Sequence, residues 1–406
     1  MGTRPIWAEI SRSRLLENYR LLRRLAGEAE LLAIVKANGY GHDALACAQV
    51  IVAENPHAWL GVTGVEEGAA VRTVAPQARI VAMGGVWGGV EAEAAIERCL
   101  TPVLWEPRQI DALETAARAR DLTIGSMPVH LEIDTGMSRQ GVRPDALPAM
   151  LESLAASPAL RIEAVMTHLH TPEALDGQAN SEQLGQFVTA LDTITAHSLS
   201  PEWIHAGNSA TVLSQGGAAN LVRIAAGYKA GAMLRPGLAL YGYAPRFSSA
   251  GLSLSGFSSV GFSGTEPLAA AHLLQPVLSW KTRIVSLRTI EQGETAGYCA
   301  TFRATRRTRI ALLPVGYADG LNRLLSNRGS VLVRGRRTPI AGRISMDLTT
   351  IDVTDIPTVE IGDEVALIGE QQKERITAYD HADLVDTIPY EILCNIAARV
   401  PRIMKD

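Results

Sequence analysis

Short apolar runs of Val, Ile, Leu and Ala recur along the first part of the chain, separated by Ala/Leu/Glu/Arg-rich stretches that suit helices. The runs that predict strands are Leu31–Val35, Trp59–Thr63, Arg79–Met83, Pro102–Trp105, Pro128–Ile133, Ile162–His168, Trp203–Ala206 and Met233–Leu240. Strands alternating with helices imply parallel pairing through right-handed crossovers, and eight such units suffice to close a (β/α)8 TIM-type barrel. An open doubly wound sheet is the structural rival. After Tyr243 the texture changes: Phe247 to Thr265 is rich in Ser and Gly with almost no charge, which reads as a connection. Beyond it, Val277–Leu287, Thr308–Leu313, Ser330–Val333, Leu348–Val353 and Glu364–Ile368 follow one another as strands without long helices between them. Tyr390–Ala398 has helix-compatible composition and is stopped by Pro401. The expected organisation is an α/β barrel over residues 1–245, a connection over 246–272 and a mainly β domain over 273–406. The apolar patch in the first ten or so residues is available to pair with the C-terminal domain.

Composition narrows the function classes. The 406 residues are 47% hydrophobic and 20% charged, enough to bury a sizeable core, so global disorder is excluded. Thirty-eight Lys and Arg against 42 Asp and Glu give a net charge of -4, with no basic track for a phosphate backbone, so nucleic acid is not an expected partner. No apolar segment reaches signal-peptide or membrane-spanning length, and the expectation is a soluble, cytoplasmic protein without a membrane partner. Cys47, Cys99, Cys299 and Cys394 are scattered, which reads as reduced thiols rather than a disulfide framework.

The candidate chemistry lies at the ends of the barrel strands. The first run opens through Ala33-Ile34-Val35-Lys36-Ala37-Asn38-Gly39-Tyr40-Gly41-His42, and Lys36 is one of only five lysines in the chain. Active sites of such barrels sit at the C-terminal ends of the strands, where a partly desolvated amine loses some preference for its charged form and can make a Schiff base. A lysine snorkelling from a strand end is the plainer alternative. The fifth run continues His130-Leu131-Glu132-Ile133-Asp134-Thr135-Gly136-Met137-Ser138-Arg139-Gln140-Gly141, whose alternation puts His130, Glu132 and Asp134 on one face. Two glycines permit a turn that returns Arg139 over the site; a structural ion-pair network accounts for the same residues. His168 and His170 admit a metal reading, but no second ligand cluster accompanies them and the expected metal is none. Asn208-Ser209 before a helix-like segment suits a phosphate, and Arg235 stands beside Pro236-Gly237. Together Lys36, the Ser209 loop and Arg235 describe a pocket for a phosphorylated aldehyde cofactor.

These residues resemble the fold-type III pyridoxal-phosphate enzymes, and within them the alanine racemase family. The similar segments run in order through nearly the whole chain: Val35–His42, Asp134–Arg139, Thr167-His168, Gly207–Ser209, Arg235–Gly242, Pro314–Gly320, Gly342–Asp347 and Tyr390–Cys394. The resemblance implies pyridoxal 5'-phosphate carried on Lys36, with Lys36 and Tyr298 as two catalytic bases on opposite faces of the substrate. It implies that Tyr40, Ser209, Gly237, Leu238 and Tyr390 hold the phosphate, that Arg235 faces the pyridine nitrogen and that His168 hydrogen-bonds Tyr298. Arg139, Met346 and Tyr317 would meet the substrate, Met346 through its main-chain N–H. It further implies a head-to-tail homodimer with shared sites and interconversion of L- and D-alanine for bacterial peptidoglycan. A broad-specificity or serine racemase and a non-catalytic cofactor-binding protein are the alternatives. One departure stands out: Glu132 occupies the place where many family members carry a carbamylated lysine. Its carboxylate is expected to orient Arg139 directly.

Overall fold

A computed structural model describes residues 4–172, 178–246 and 270–406. The first strand, β1 (Ile6–Ser11), stands apart from the eight that follow. Those eight, β2 (Glu30–Ile34), β3 (Trp59–Val62), β4 (Arg79–Ala82), β5 (Leu100–Leu104), β6 (Met127–Ile133), β7 (Leu160–Thr167), β8 (Trp203–Asn208) and β9 (Gly231–Arg235), form a closed parallel barrel, β9 pairing with β2. Every residue of β3 and β5 is buried, as expected where side chains fill the barrel on one face and helices cover the other. The barrel class is therefore the one the alternating pattern predicts, and the open sheet is not formed.

The eighth strand is shorter than its apolar run. It ends at Arg235 because Pro236 has no N–H to continue a ladder, and Leu238–Tyr241 turns instead as a 3-10 helix. Gly242 closes that turn at φ +89°, where a Cβ would stand 1.9 Å from the Gln275 carbonyl oxygen, so only glycine fits.

The C-terminal part comprises β10 (Leu278–Arg283), β11 (Ser286–Ile290), β12 (Thr295–Ala296), β13 (Phe302–Arg303), β14 (Thr308–Leu313), β15 (Ser330–Val333), β16 (Arg336–Pro339), β17 (Thr349–Asp352), β18 (Glu364–Gln371), β19 (Glu374–Ile376) and β20 (Arg402–Lys405). One sheet runs β16-β15-β18-β10-β1-β20 with β19 against β18; a second runs β11-β14-β17; β12 and β13 make a hairpin. The run Val277–Leu287 is thus two strands in two sheets, not one. At Ile284 the main chain still donates to Asp363, and at Val285 it passes to Leu312, so the handover costs no backbone hydrogen bond. The amino-terminal β1 lies inside the C-terminal sheet, antiparallel to β10 (Ala8 opposite Trp280) and parallel to β20 (Ala8 opposite Arg402). The Ser/Gly-rich stretch Phe247–Thr265 lies outside the described residues. Among the described residues, no helix is long and apolar enough to cross a membrane.

Candidate active site

Lys36 follows β2 at the C-terminal end of the barrel and opens a turn of unusual hand. Ala37, Asn38, Gly39 and Tyr40 have φ of +51°, +52°, +63° and +53°, a short left-handed helix. Each L residue held this way costs roughly 1–2 kcal/mol, so the turn persists only because its surroundings impose it. Gly39 N donates to Val35 (2.8 Å) and Gly41 N to Ala37 (3.0 Å), while Asn38 Oδ1 accepts from Ala44 N at 3.0 Å. Glu67 accepts from Ala37 N (2.8 Å) and Thr63 N (2.7 Å), tying the turn to the end of β3. At Gly41 a Cβ would stand 2.2 Å from the Leu393 carbonyl oxygen, so the helix Pro389–Cys394 rests directly on the turn. Burial lowers the pKa of Lys36, with the charges of Arg139 and Arg235 adding to it and those of Glu67 and Cys394 opposing. Glu67 and Cys394 were not legible as site residues; only the fold brings them there.

Beside this turn is a polar cradle. The Tyr40 ring packs 5.1 Å from Tyr241 and 5.7 Å from Tyr390, centroid to centroid. A Cβ on Gly237 would lie 2.3 Å from Tyr40 Oη, so the missing side chain at 237 is what lets the phenol reach the main chain of the turn after β9. The buried Ser209 Oγ accepts from the amides of Gly237 (3.0 Å) and Ala239 (3.1 Å), and buried Leu238 lies between them. The Tyr40 and Ser209 hydroxyls and the Leu238 amide between the two that Ser209 holds, with no carboxylate acting on Tyr40, form a donor set matched to an anion such as a phosphate.

Arg235, at the end of β9, is buried and donates to the Thr167 carbonyl (2.7 Å), to His168 Nδ1 (3.2 Å) and to His205 Nδ1 (3.2 Å). A guanidinium has no acceptor, so both imidazoles accept at Nδ1 and carry their proton on Nε2. Burial brings the Arg235 pKa down to about 10, still charged at neutral pH. The His168 pKa falls to about 3 through burial and then the charges of Arg235, Arg139 and Lys36, which keeps the ring neutral. His205 is a further member of this group that sequence reasoning left unassigned. His168 and His170 do not converge: His170 Nδ1 meets Thr171 instead. Among the described residues, no group of three or more His, Cys, Asp or Glu is placed to hold a metal ion.

The expected pairing of Glu132 with Arg139 takes another form. Glu132 is buried, and its carboxylate accepts from Gln140; Arg139 is exposed and acts on it only through space. The glutamate side chain is short, and Gln140 is the donor that the turn of the loop delivers to it.

Tyr298, Tyr317 and Met346 form a second group on the β domain. Tyr298 follows Gly297 in the turn between β12 and β13 and is 69% exposed. Tyr317 and Met346 are adjacent through the bond from Ala318 N to the Met346 carbonyl (3.0 Å), and both are exposed. Among the described residues, no hydrogen bond or ion pair joins these three to the Lys36 group. Below them Asp319 is wholly buried and accepts from Arg4 (2.6 Å), Arg399 (2.7 Å) and the Gly316 amide (3.0 Å), while Arg399 also reaches Asp347 (2.6 Å). The turn that presents Tyr317 is thereby anchored to both ends of the chain.

Burial alone would raise the Asp319 carboxyl, but the hydrogen bonds from Arg4, Arg399 and Gly316 bring it below its usual value. A carboxylate held low contributes stability that is present above its unfolded pKa, near 4, and lost as pH falls through the folded value. Asp319→Asn is therefore expected to cost about 1.5–3 kcal/mol at pH 7. The gap from the unchanged protein should close below about pH 4; urea melts at pH 7, 5 and 3.5 check this, and a gap independent of pH contradicts it.

A closed barrel with a lysine at the head of its first strand, an anion cradle after its seventh and eighth, and a β domain presenting an exposed tyrosine defines the class of two-domain barrel isomerases. Family models for the alanine racemase N-terminal domain and the alanine racemase C-terminal domain match residues 10–245 and 277–404. The chain belongs to the alanine racemase family. It is 38% identical to an alanine racemase of Symbiobacterium thermophilum over 99% of this chain and 97% of that one. It is 36% identical to one of Halothermothrix orenii over 100% and 98%. Among solved structures, alanine racemase from a D-cycloserine-producing Streptomyces lavendulae superposes with a TM-score of 0.85 at 28% identity, covering 100% of this chain and 98% of that one. Alanine racemase from Bartonella henselae, solved with covalently bound pyridoxal phosphate, superposes with a TM-score of 0.79 at 26% identity over 99% of each chain.

Proposed function

We propose that this protein is a pyridoxal-phosphate-dependent racemase that interconverts L- and D-alanine, and that it works as a head-to-tail homodimer in the cytoplasm. The observation that carries the reading is the partly desolvated Lys36 beside the Tyr40–Ser209–Gly237 cradle, in a chain of this family.

The cofactor fits the residues present. The Ser209 and Tyr40 hydroxyls, the amides around Gly237 and Leu238, and Tyr390 would hold its phosphate; Lys36 would hold its aldehyde carbon; Arg235 would face its ring nitrogen. When bound, it supplies an electron-withdrawing ring that makes the α-proton of an attached amino acid removable. Arg235 stays protonated and would donate to the ring nitrogen, which would then carry no proton of its own. Lys36 Nζ, its proton affinity lowered by burial, accepts or returns the α-proton on one face. Tyr298 Oη of the partner subunit does so on the other. His168, whose Nε2 carries the proton because Arg235 occupies Nδ1, would donate a hydrogen bond to that phenol oxygen. Arg139 and the Met346 amide, which donates to no acceptor among the described residues, would take the substrate carboxylate.

The dimer reading rests on the second group. Tyr298, Tyr317, Met346, Leu348 and Leu324 are exposed large side chains of the β domain, available to a second copy of the chain.

The test is chiral chromatography of cofactor-loaded protein incubated separately with L-alanine, L-serine, L-lysine and L-arginine. Formation of D-alanine alone supports the proposal. Conversion of the larger amino acids makes it a broad-specificity racemase, and no conversion of any leaves a cofactor-binding protein.

A further inference from the structure

Arg139 sits on the loop Asp134–Val142, which leaves and re-enters the barrel at one place. Asp134 N donates to the Val142 carbonyl (2.9 Å) and Val142 N to that of Glu132 (2.7 Å). Inside the loop, Asp134 Oδ1 accepts from the amides of Gly136 and Ser138, both at 3.0 Å. Gly141, at φ +111°, allows the return; a Cβ there would stand 2.5 Å from Asp134 N. These bonds set the loop's own shape, but none fastens its tip. The Arg139 guanidinium makes no hydrogen bond or ion pair among the described residues.

Gln140, the next residue, supplies the attachment. Its Nε2 donates to the Glu132 carboxylate on β6 and to the Met83 carbonyl at the end of β4 (3.2 Å), two anchors on strands separated by β5. Resting on the racemase reading above, we infer that Gln140 is a positioning residue for Arg139: its carboxamide latches the Arg139 loop onto the buried Glu132 and onto β4. The bond serves both ends. Glu132 is only 2% exposed, and its other charged neighbours, Arg235 on β9 and Arg139 and Asp134 on its own loop, act on it only at a distance. Without Gln140 the buried carboxyl has no donor among the described residues, and the loop keeps only the bonds near its start, from Thr135 to Thr167 (2.7 Å) and from Gln183 to Thr135 (3.2 Å).

Three variants and two readouts test the latch. Gln140→Leu is expected to lower kcat/KM for alanine on the order of 10- to 100-fold through misplacement of Arg139. Cofactor loading should stay near that of the unchanged protein, whereas the melting temperature should fall because the buried Glu132 carboxyl loses its donor. Gln140→Glu places two carboxyl groups at hydrogen-bond distance, which repel when both are ionised and bond when one is protonated, so its activity should recover as pH falls. Exchanging the two side chains, Glu132→Gln with Gln140→Glu, restores a carboxylate–carboxamide pair and should recover most of the loss. A Gln140→Leu protein with unchanged kcat/KM and pH profile, or an exchange variant no better than Gln140→Leu, overturns the inference. Amide hydrogen exchange reads the latch without activity: Ser138–Gly141 should exchange faster in Gln140→Leu, and unchanged protection there also overturns it. A parent protein that racemises nothing, with faster exchange at Ser138–Gly141 still seen in its Gln140→Leu variant, fails the racemase reading and leaves the latch standing.

Discussion

Lys36→Ala is expected to abolish covalent cofactor attachment and to reduce racemisation by at least about 10⁴-fold, because the proposed function makes one residue both the point of attachment and one of the two bases. The other four lysines do not substitute for it: Lys281, for example, is held between Glu9 (2.9 Å) and Glu364 (3.1 Å) on the β domain, away from the strand ends. Borohydride reduction followed by peptide mass spectrometry should find the pyridoxyl label on the Lys36 peptide of the parent protein and on no peptide of the variant. The label on another lysine, or appreciable turnover without Lys36, rejects the assignment. The fold itself should survive, since the turn is held by main-chain bonds and by Glu67 rather than by the lysine side chain.

Tyr298→Phe should leave cofactor uptake intact and cut kcat on the order of 10³-fold, the scale of losing one positioned acid–base group. The loss has a direction. With Lys36 still present on one face, the α-hydrogen of one enantiomer of alanine should continue to exchange with deuterated water while inversion of configuration stops. Equal loss of exchange for both enantiomers speaks against a two-face division of labour. Mixing the two variants separates a shared site from a self-contained one. If each site joins Lys36 of one chain to Tyr298 of the other, half of the reassorted dimers contain one intact site, and activity should return to about a quarter of the parent value. No recovery from subunit-exchanged material would place both bases within one chain.

The barrel was legible because its eight strands are short apolar runs at regular spacing, and Thr308–Leu313 and Ser330–Val333 were legible to the residue for the same reason. What misled was continuity. Val277–Leu287 reads as one strand yet serves two sheets, and Met233–Leu240 reads as one strand yet breaks at Pro236. Hydrophobicity reports burial, which is continuous along Met233–Leu240 and alternates along Val277–Ile284; it does not report which neighbour takes the backbone hydrogen bonds. The short strands β12, β13, β16 and β19 carry too few residues to show a period and exist through their partners.

In the site, residue types with distinctive chemistry at strand ends marked Lys36, Ser209 and Arg235 before any fold was known. Glu132 was also marked, but its partner was not. A carboxylate near an arginine in sequence invites an ion pair, whereas the loop closed by Gly141 delivers Gln140 to the carboxylate and leaves the guanidinium free. The sequence by itself determined the class of fold and the order of the chemical segments, and marked Lys36 as the candidate to carry an aldehyde, because periodicity and side-chain chemistry are local properties. Tertiary structure alone decided the left-handed turn after Lys36, the tautomers that Arg235 imposes on His168 and His205, the Asp319 anchor joining both chain ends, and the latch at Gln140. Each of these depends on a donor meeting an acceptor far away in the chain, or on a strained backbone held by distant neighbours, and only the folded packing fixes such meetings.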